Sequence, residues 1–172
     1  MRMLNRLQSE RGTTLIETVV ALAILFVALA GLMTAPLVAT NLTENEGHLS
    51  ARTTEYAQDK MEQLLALTYG DAQSDTRVFP AATSGGTGLA VGGSSDPASP
   101  VALYVDYLNQ SGNLLPSSGT TPPTGWFYKR VWQVTNPSSN LKQITVTVIV
   151  AQSFGAARVP QSTLTTLKTS PF

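Results

Sequence analysis

The sequence contains no cysteine and a single histidine, His48, among its 172 residues. Without cysteine the chain can form no disulfide, no thiolate metal site and no thiol nucleophile. A lone histidine without ligand partners is best read as a solvated helix residue. No Ser-His-Asp or paired-carboxylate pattern stands out either. We therefore expect a structural or binding protein, not an enzyme, with no catalytic residue, no cofactor and no metal site.

Charged residues are scarce, at 13% of the chain, and the 11 basic and 11 acidic residues cancel to a net charge of zero. Bulk electrostatic attraction to nucleic acid is thereby excluded, and no nucleic-acid partner is expected. The length allows one modest folded head and a membrane segment, with little material for a second core.

A long uncharged run occupies residues 19–39, which are VVALAILFVALAGLMTAPLVA. A helix of this length spans about 30 Å, the thickness of the hydrocarbon layer of a bilayer. The preceding leader carries Arg2, Arg6 and Arg11 against one acid, Glu10, a bias that keeps it in the cytoplasm. The alternative, a secretory signal peptide, has a shorter apolar core of about 7–15 residues. We expect a single membrane span with the head outside the cytoplasm.

The apolar helix is predicted to continue into water through residues 41–69. Their apolar positions recur at helical spacing: Leu42, Leu49, Tyr56, Ala57, Met61, Leu64, Leu65 and Thr68. Unbroken from Thr14 to Tyr69, the helix measures on the order of 80 Å. Gly31 lowers helix propensity and Pro36 lacks an amide donor, so we expect a bend or local unwinding between them.

The rest of the chain predicts a loop and a sheet. Residues 70–100 are rich in glycine, serine and proline and indicate a loop region. Strand patterns follow at 101–108, 125–135, 141–152 and 162–169, and the turn-forming residues 136–140 indicate a hairpin. Four side chains are expected on one face of the second strand: Trp126, Tyr128, Trp132 and Val134. The predicted class is α+β, a long amino-terminal helix packed on an antiparallel sheet of about four strands.

Residues 11–25, RGTTLIETVVALAIL, resemble the class III signal of type IV pilins and type II secretion pseudopilins. The shared parts are a short basic leader ending in glycine, a glutamate five residues beyond it, and a long apolar helix. The segments YKRVWQVT and LKQITVTVIV are similar to the sheet hairpin of PilV-type minor pilins and of the minor pseudopilins related to them. The chain departs from the family at Thr13, where phenylalanine is most frequent.

The resemblance implies the pilin fold and a processing step. A membrane prepilin peptidase would cut between Gly12 and Thr13 and methylate the new amino group of Thr13. The implied organisation is a leader at 1–12, a membrane and filament-core helix at 13–40 and an amphipathic half at 41–69. The loop region at 70–100 and a sheet head at 101–172 complete it.

Glu17 is the one charged residue between Gly12 and Glu44. An ionisable residue at membrane depth is costly unless neutralised or paired, and by default indicates a function. The resemblance implies that it pairs with the amino terminus of an adjacent subunit. The alternative is an interfacial acid that only complements the helix dipole, by about 0.3–1 kcal/mol.

Three functions stay open on these residues. The first is a minor type IV pilin that joins other major and minor pilins in a pilus or its initiating tip complex, with roles in assembly, adhesion or motility. The second is a minor pseudopilin of a type II secretion system, located in a periplasmic pseudopilus. The third is a single-pass membrane protein with an exported binding head.

Overall fold

The computed structural model describes residues 14–117, 119–151 and 159–170, without the side chains of residues 33–43 and 45. In these ranges the chain forms one helix and six strands. They are α1 (Leu15–Ala66), β1 (Gly92–Gly93), β2 (Val105–Leu108), β3 (Leu114–Leu115), β4 (Tyr128–Ser138), β5 (Leu141–Val150) and β6 (Gln161–Thr169). The predicted α+β class is confirmed. Two compact units, Met1–Asn41 and Leu42–Phe172, divide the chain within α1.

The backbone of α1 is helical through Gly31 and Pro36, so the local unwinding expected there is not observed. A bend of the helix axis at this point stays a prediction. A helix tolerates proline when the displaced carbonyl finds another partner or the axis bends slightly.

The strands of the second unit form one antiparallel sheet in the order β3-β2-β4-β5-β6. Strand β1 also pairs with β4, at Gly92↔Val134 and Gly93↔Gln133. The described sheet therefore has six strands, and the expectation of about four was too low. The two additional strands, β1 and β3, are only two residues long and read GG and LL. Segments this short show no alternation of apolar and polar residues, so periodicity could not detect them.

The predicted hairpin is formed by β4 and β5, which pair from Tyr128↔Val150 to Ser138↔Leu141. A register shift between Thr135 and Ser138 leaves two residues of β4 opposite one residue of β5. Pro137 lies in this bulge, where a missing amide does least harm to the ladder. The strand therefore runs three residues beyond its expected end, and the turn narrows to residues 139–140.

The main core of the second unit lies between α1 and the inner face of the sheet. The helix contributes Tyr56, Ala57, Met61 and Leu64. The sheet contributes Leu108, Tyr128, Trp132, Val134, Ile144, Val146, Val148 and Val150, and the loops add Leu89 and Tyr104. The predicted packing of the amphipathic half on the sheet is confirmed for these residues. Leu65 and Thr68 are exposed, and Thr53 and Lys60 are buried in the helix stripe instead.

The alternation of residues predicts Trp126 on the same face as Tyr128 and Trp132, and this prediction is wrong. Trp126 precedes β4 and packs on a smaller cluster of Val105, Tyr107 and Val131 on the outer face of the sheet. The rings of Trp126 and Tyr107 meet edge to face, with centroids 5.9 Å apart. Alternation fails here because it holds only within a strand, and Trp126 lies outside one.

Candidate assembly site on the amino-terminal helix

The first turns of α1 expose an apolar surface around the whole circumference of the helix. Every described side chain from Thr14 to Leu32 is exposed, including Leu15 at 83%, Phe26 at 67% and Val27 at 75%. The span Leu15–Leu32 is long and apolar enough to cross a membrane. A helix that is apolar on all sides needs lipid or other helices as its neighbours.

Glu17 lies in the first turn of α1, where its amide donates to the Thr14 carbonyl oxygen at 2.9 Å. The hydroxyl of Thr18 donates to the Leu15 carbonyl oxygen at 2.8 Å. A carboxylate in a first turn lies near the positive end of the helix dipole. Within the part of the chain that the structure describes, no cation is paired with it.

For the other predicted site residues the structure gives either the backbone position or nothing. Gly12 and Thr13, the expected cleavage and methylation positions, lie outside the described residues. Gly31 and Pro36 lie within the helical stretch of α1. Among the predicted site residues that the structure describes, only the carboxylate of Glu17 therefore lies on the exposed apolar surface as a chemically reactive group.

A carboxylate such as Glu17 on an apolar helix surface affects which molecules can cover that surface. A carboxylate on an apolar surface remains ionised at low cost while water reaches it, and becomes costly once lipid or protein covers it. A cation delivered by the covering molecule, such as an amino terminus, offsets that cost through a charge-assisted hydrogen bond. A covering molecule with a positive charge next to such a carboxylate is therefore favoured over one without it.

A second group of ionisable residues, absent from the sequence-based predictions, lies buried beneath the sheet. Arg130 donates through Nε and one Nη to the two carboxylate oxygens of Asp106, at 2.7 and 2.9 Å. Lys60 Nζ donates to Asp106 Oδ2 at 2.9 Å and to the Thr76 hydroxyl at 3.1 Å. It also lies 3.9 Å from the ring centroid of Trp132.

Burial and neighbouring charge act in opposite directions in this buried charge cluster of Lys60, Asp106 and Arg130. Burial lowers the pKa of Lys60 from near 10.5 to about 8, although the Asp106 carboxylate acts to raise it. Burial alone raises the pKa of Asp106, but the charges and hydrogen bonds of Arg130 and Lys60 outweigh it and hold that pKa below 3.8. The carboxylate is thus the shared counter-ion of two cations.

Two further lysines bind backbone carbonyls at and just beyond the carboxyl end of α1, whose last turn contains no basic residue. Lys168 Nζ on β6 donates to the carbonyl oxygens of Leu65 and Leu67, the second at 2.7 Å. Its register partner on β5, Lys142, donates at 2.7 Å to the carbonyls of Tyr69 and Leu89. These cations satisfy carbonyls that a helix end leaves unpaired and complement its negative dipole.

The buried cations and carboxylate fix the helix to the sheet and have a structural role. A sequence signal for them existed. Lys60 occupies a position between Tyr56 and Leu64 in the apolar stripe, and Arg130 alternates with Tyr128 and Trp132 on the inner face of its strand. An ionisable residue at an inward position of a helix or strand predicts a buried pair, because an unpaired charge there is too costly.

No protein-family model, curated protein or solved structure matches the chain.

Proposed function

We propose that this chain is a minor type IV pilin. It enters the inner membrane as a single-pass precursor, loses its leader to prepilin peptidase after Gly12, and joins a pilus or its initiating tip complex through its amino-terminal helix. The observation that carries the proposal is the fully exposed apolar helix Leu15–Leu32 with one carboxylate, Glu17, in its first turn.

The proposal explains why the apolar helix is exposed. A membrane holds the helix before assembly, and neighbouring pilin helices cover it afterwards, so both environments satisfy the same surface. The water-facing half of α1 has a different covering, because its stripe at Tyr56, Ala57 and Leu64 is buried by the chain's own sheet. One helix thus serves assembly through one half and anchors the head through the other.

The proposal also gives Glu17 a partner. Cleavage frees the amino group of Thr13, and in a bundle of parallel subunits this cation can reach the Glu17 carboxylate of the next subunit. Covering either charge alone costs several kcal/mol, whereas covering them together forms a charge-assisted hydrogen bond. The pairing therefore selects the axial position at which a subunit enters the bundle.

The decisive experiment compares Glu17→Gln with wild type at equal expression in cells with prepilin peptidase. Glutamine keeps the shape of the side chain and removes its charge, so membrane insertion and leader loss are expected to continue while incorporation into sheared filaments fails. Glu46→Gln, at an exposed acid in the water-facing half of α1, is the matched control and should incorporate normally. Equal incorporation of Glu17→Gln and wild type would contradict the pairing.

Two other functions give different results in the same cells. A minor pseudopilin would lose its leader and then co-purify with type II secretion components, not with pilus subunits. A single-pass membrane protein with an exported binding head would keep its leader whether or not the peptidase is present. Mild crosslinking before extraction identifies the neighbours of the helix, and recovery of monomer alone would count against assembly.

A further inference from the structure

We propose that the head binds a neutral saccharide ring in the cleft beside the water-facing half of α1. The cleft has a volume of about 650 Å³ and is bordered by α1, the turn after β2 and the loop that contains Phe79. Its size lies within the range of about 300–1,000 Å³ typical of small-molecule sites. All of its lining residues belong to the unit Leu42–Phe172, and no step of this inference depends on filament assembly.

The floor of the cleft holds a buried cation with unused donors. Arg130 lines the cleft, although only 3% of its side chain is exposed. Its Nε and one Nη donate to Asp106, and in the described part of the chain the other Nη has no acceptor. This Nη is not among the buried polar atoms that lack a partner, so it reaches the cleft, where it can donate to water or to an oxygen of a ligand.

The rim supplies complementary groups. Asp59 and Glu62 line the cleft from α1, and as carboxylates they only accept hydrogen bonds. Gln63 and Asn113 add side-chain amides, each of which both donates and accepts. The ligand must therefore accept hydrogen bonds at the floor and donate them at the rim.

Phe79 gives the cleft a flat apolar wall. Phe79 is 78% exposed, and an aromatic residue presented to water beside polar groups is characteristic of a contact surface. The ring can stack on the C–H face of a planar or chair-shaped ligand.

Charge decides between the ligand classes that such a cleft could take. The carboxylates of Asp59 and Glu62 oppose an anion, and the guanidinium of Arg130 opposes a cation at the floor. Hydroxyl groups donate and accept at once, which satisfies both the floor and the rim without a net charge. A pyranose ring combines several hydroxyls with an apolar C–H face that matches Phe79.

The test uses the full chain in lauryldimethylamine oxide, a detergent without a sugar headgroup that could occupy the cleft. Saturation-transfer NMR and titration are run with N-acetylglucosamine and the methyl pyranosides of glucose, galactose and mannose. Transfer to at least one of the four is expected. Phe79→Ala should lower its affinity roughly three- to tenfold, the effect of losing one aromatic contact. Glu62→Gln should also weaken it, because a weaker acceptor replaces the carboxylate.

Leu167→Ala is the control, since Leu167 is an exposed apolar residue of β6 that does not line the cleft. It should bind the sugar like wild type, and circular dichroism should give the same spectrum for all variants. Absence of transfer to every sugar, or equal affinity of wild type and Phe79→Ala, overturns the proposal. So does comparable binding of acetate or lysine amide, which would indicate recognition of charge.

Discussion

Asp106→Asn should destabilise the head far more than a substitution that breaks the exposed ion pair between Arg52 and Glu55. The carboxylate is 2% exposed and is the counter-ion of both Lys60 and Arg130, at 2.9 and 2.7 Å. Asparagine keeps the volume but leaves two buried cations next to one another. Loss of one partner from a buried ionic group typically costs about 3–5 kcal/mol, so we expect a loss of that order in the free energy of unfolding.

Lys60→Met provides the informative contrast at the same cluster. Methionine fills much of the space of the lysine stem, and Asp106 retains its two hydrogen bonds from Arg130. The lowered pKa of Lys60 shows that burial disfavours its charged form more than Asp106 favours it. Removing that charge therefore relieves a net cost in which the attraction of Asp106 is already included. The other losses are the hydrogen bonds to Thr76 and the contact with the Trp132 ring. We expect Lys60→Met to cost less than about 2 kcal/mol.

The assay is urea unfolding of the fragment 41–172 at pH 7, followed by far-ultraviolet circular dichroism. Arg52→Gln is the control, because it breaks an exposed pair with Glu55 whose side chains are 43% and 59% exposed, and it should leave the midpoint unchanged. The reasoning is refuted if Lys60→Met is as destabilising as Asp106→Asn, since Asp106 would then not be the shared counter-ion. Equal midpoints for Asp106→Asn and wild type would refute it as well.

Other parts of the head give further predictions. Because the folded pKa of Lys60 is about 8 and its ordinary value is near 10.5, the unfolded chain binds more protons in this window. Stability from this group is therefore reduced at pH 8 and recovers as the pH rises toward 10. The difference between wild type and Lys60→Met should shift in favour of wild type by about 1 kcal/mol per pH unit in urea titrations. Gly93→Ala should cost on the order of 2 kcal/mol or more, because Gly93 has φ +82° and a Cβ would lie 2.1 Å from the Trp132 carbonyl oxygen; thermal melting would measure it. Lys168→Met should increase amide hydrogen exchange in the last turn of α1 while the sheet stays protected, and protection equal to wild type would exclude its capping role. The fragment 41–172 should be soluble and show sheet signal, since the uncharged run is removed and the helix stripe stays covered; aggregation without such signal would contradict this.

The predictions for the long elements succeeded where one period extended over many residues. Ile144, Val146, Val148 and Val150 alternate without interruption, and β5 buries all four. The helix stripe was predicted on the same principle, and its centre at Ala57 and Leu64 is fully buried. At its carboxyl end the prediction was wrong for Leu65 and Thr68, which are exposed, whereas Leu67 packs against the core. Periodicity identifies a face of a helix, but the covering element decides how much of that face is used.

Glu17 was found from the order of residues alone, whereas the buried charge cluster was not. Glu17 was recognised because a single carboxylate at the start of a long uncharged run contradicts the cost of burying charge. This inference needs only the order of residues, and its partner, supplied by another molecule, stays a prediction. The buried charge cluster was missed for the complementary reason. Lys60 and Arg130 each occupy an inward position, but Lys60, Asp106 and Arg130 are separated by 46 and 24 positions along the chain, and no local pattern shows that they pair.

The sequence by itself therefore determined the apolar helix, the position of its one carboxylate, the α+β class and the long strands, since each depends on composition or on a period within one segment. Tertiary structure alone decided which polar side chains are buried, that glycine and leucine pairs extend the sheet, and that Lys168 binds the end of α1. Pairing of distant segments sets these features, because a charge or a two-residue strand is stable only when its partner is brought to it. The cleft at Phe79 and Arg130 is likewise decided by tertiary structure. Its walls come from a helix, a strand, a turn and a loop that are adjacent only in the folded head.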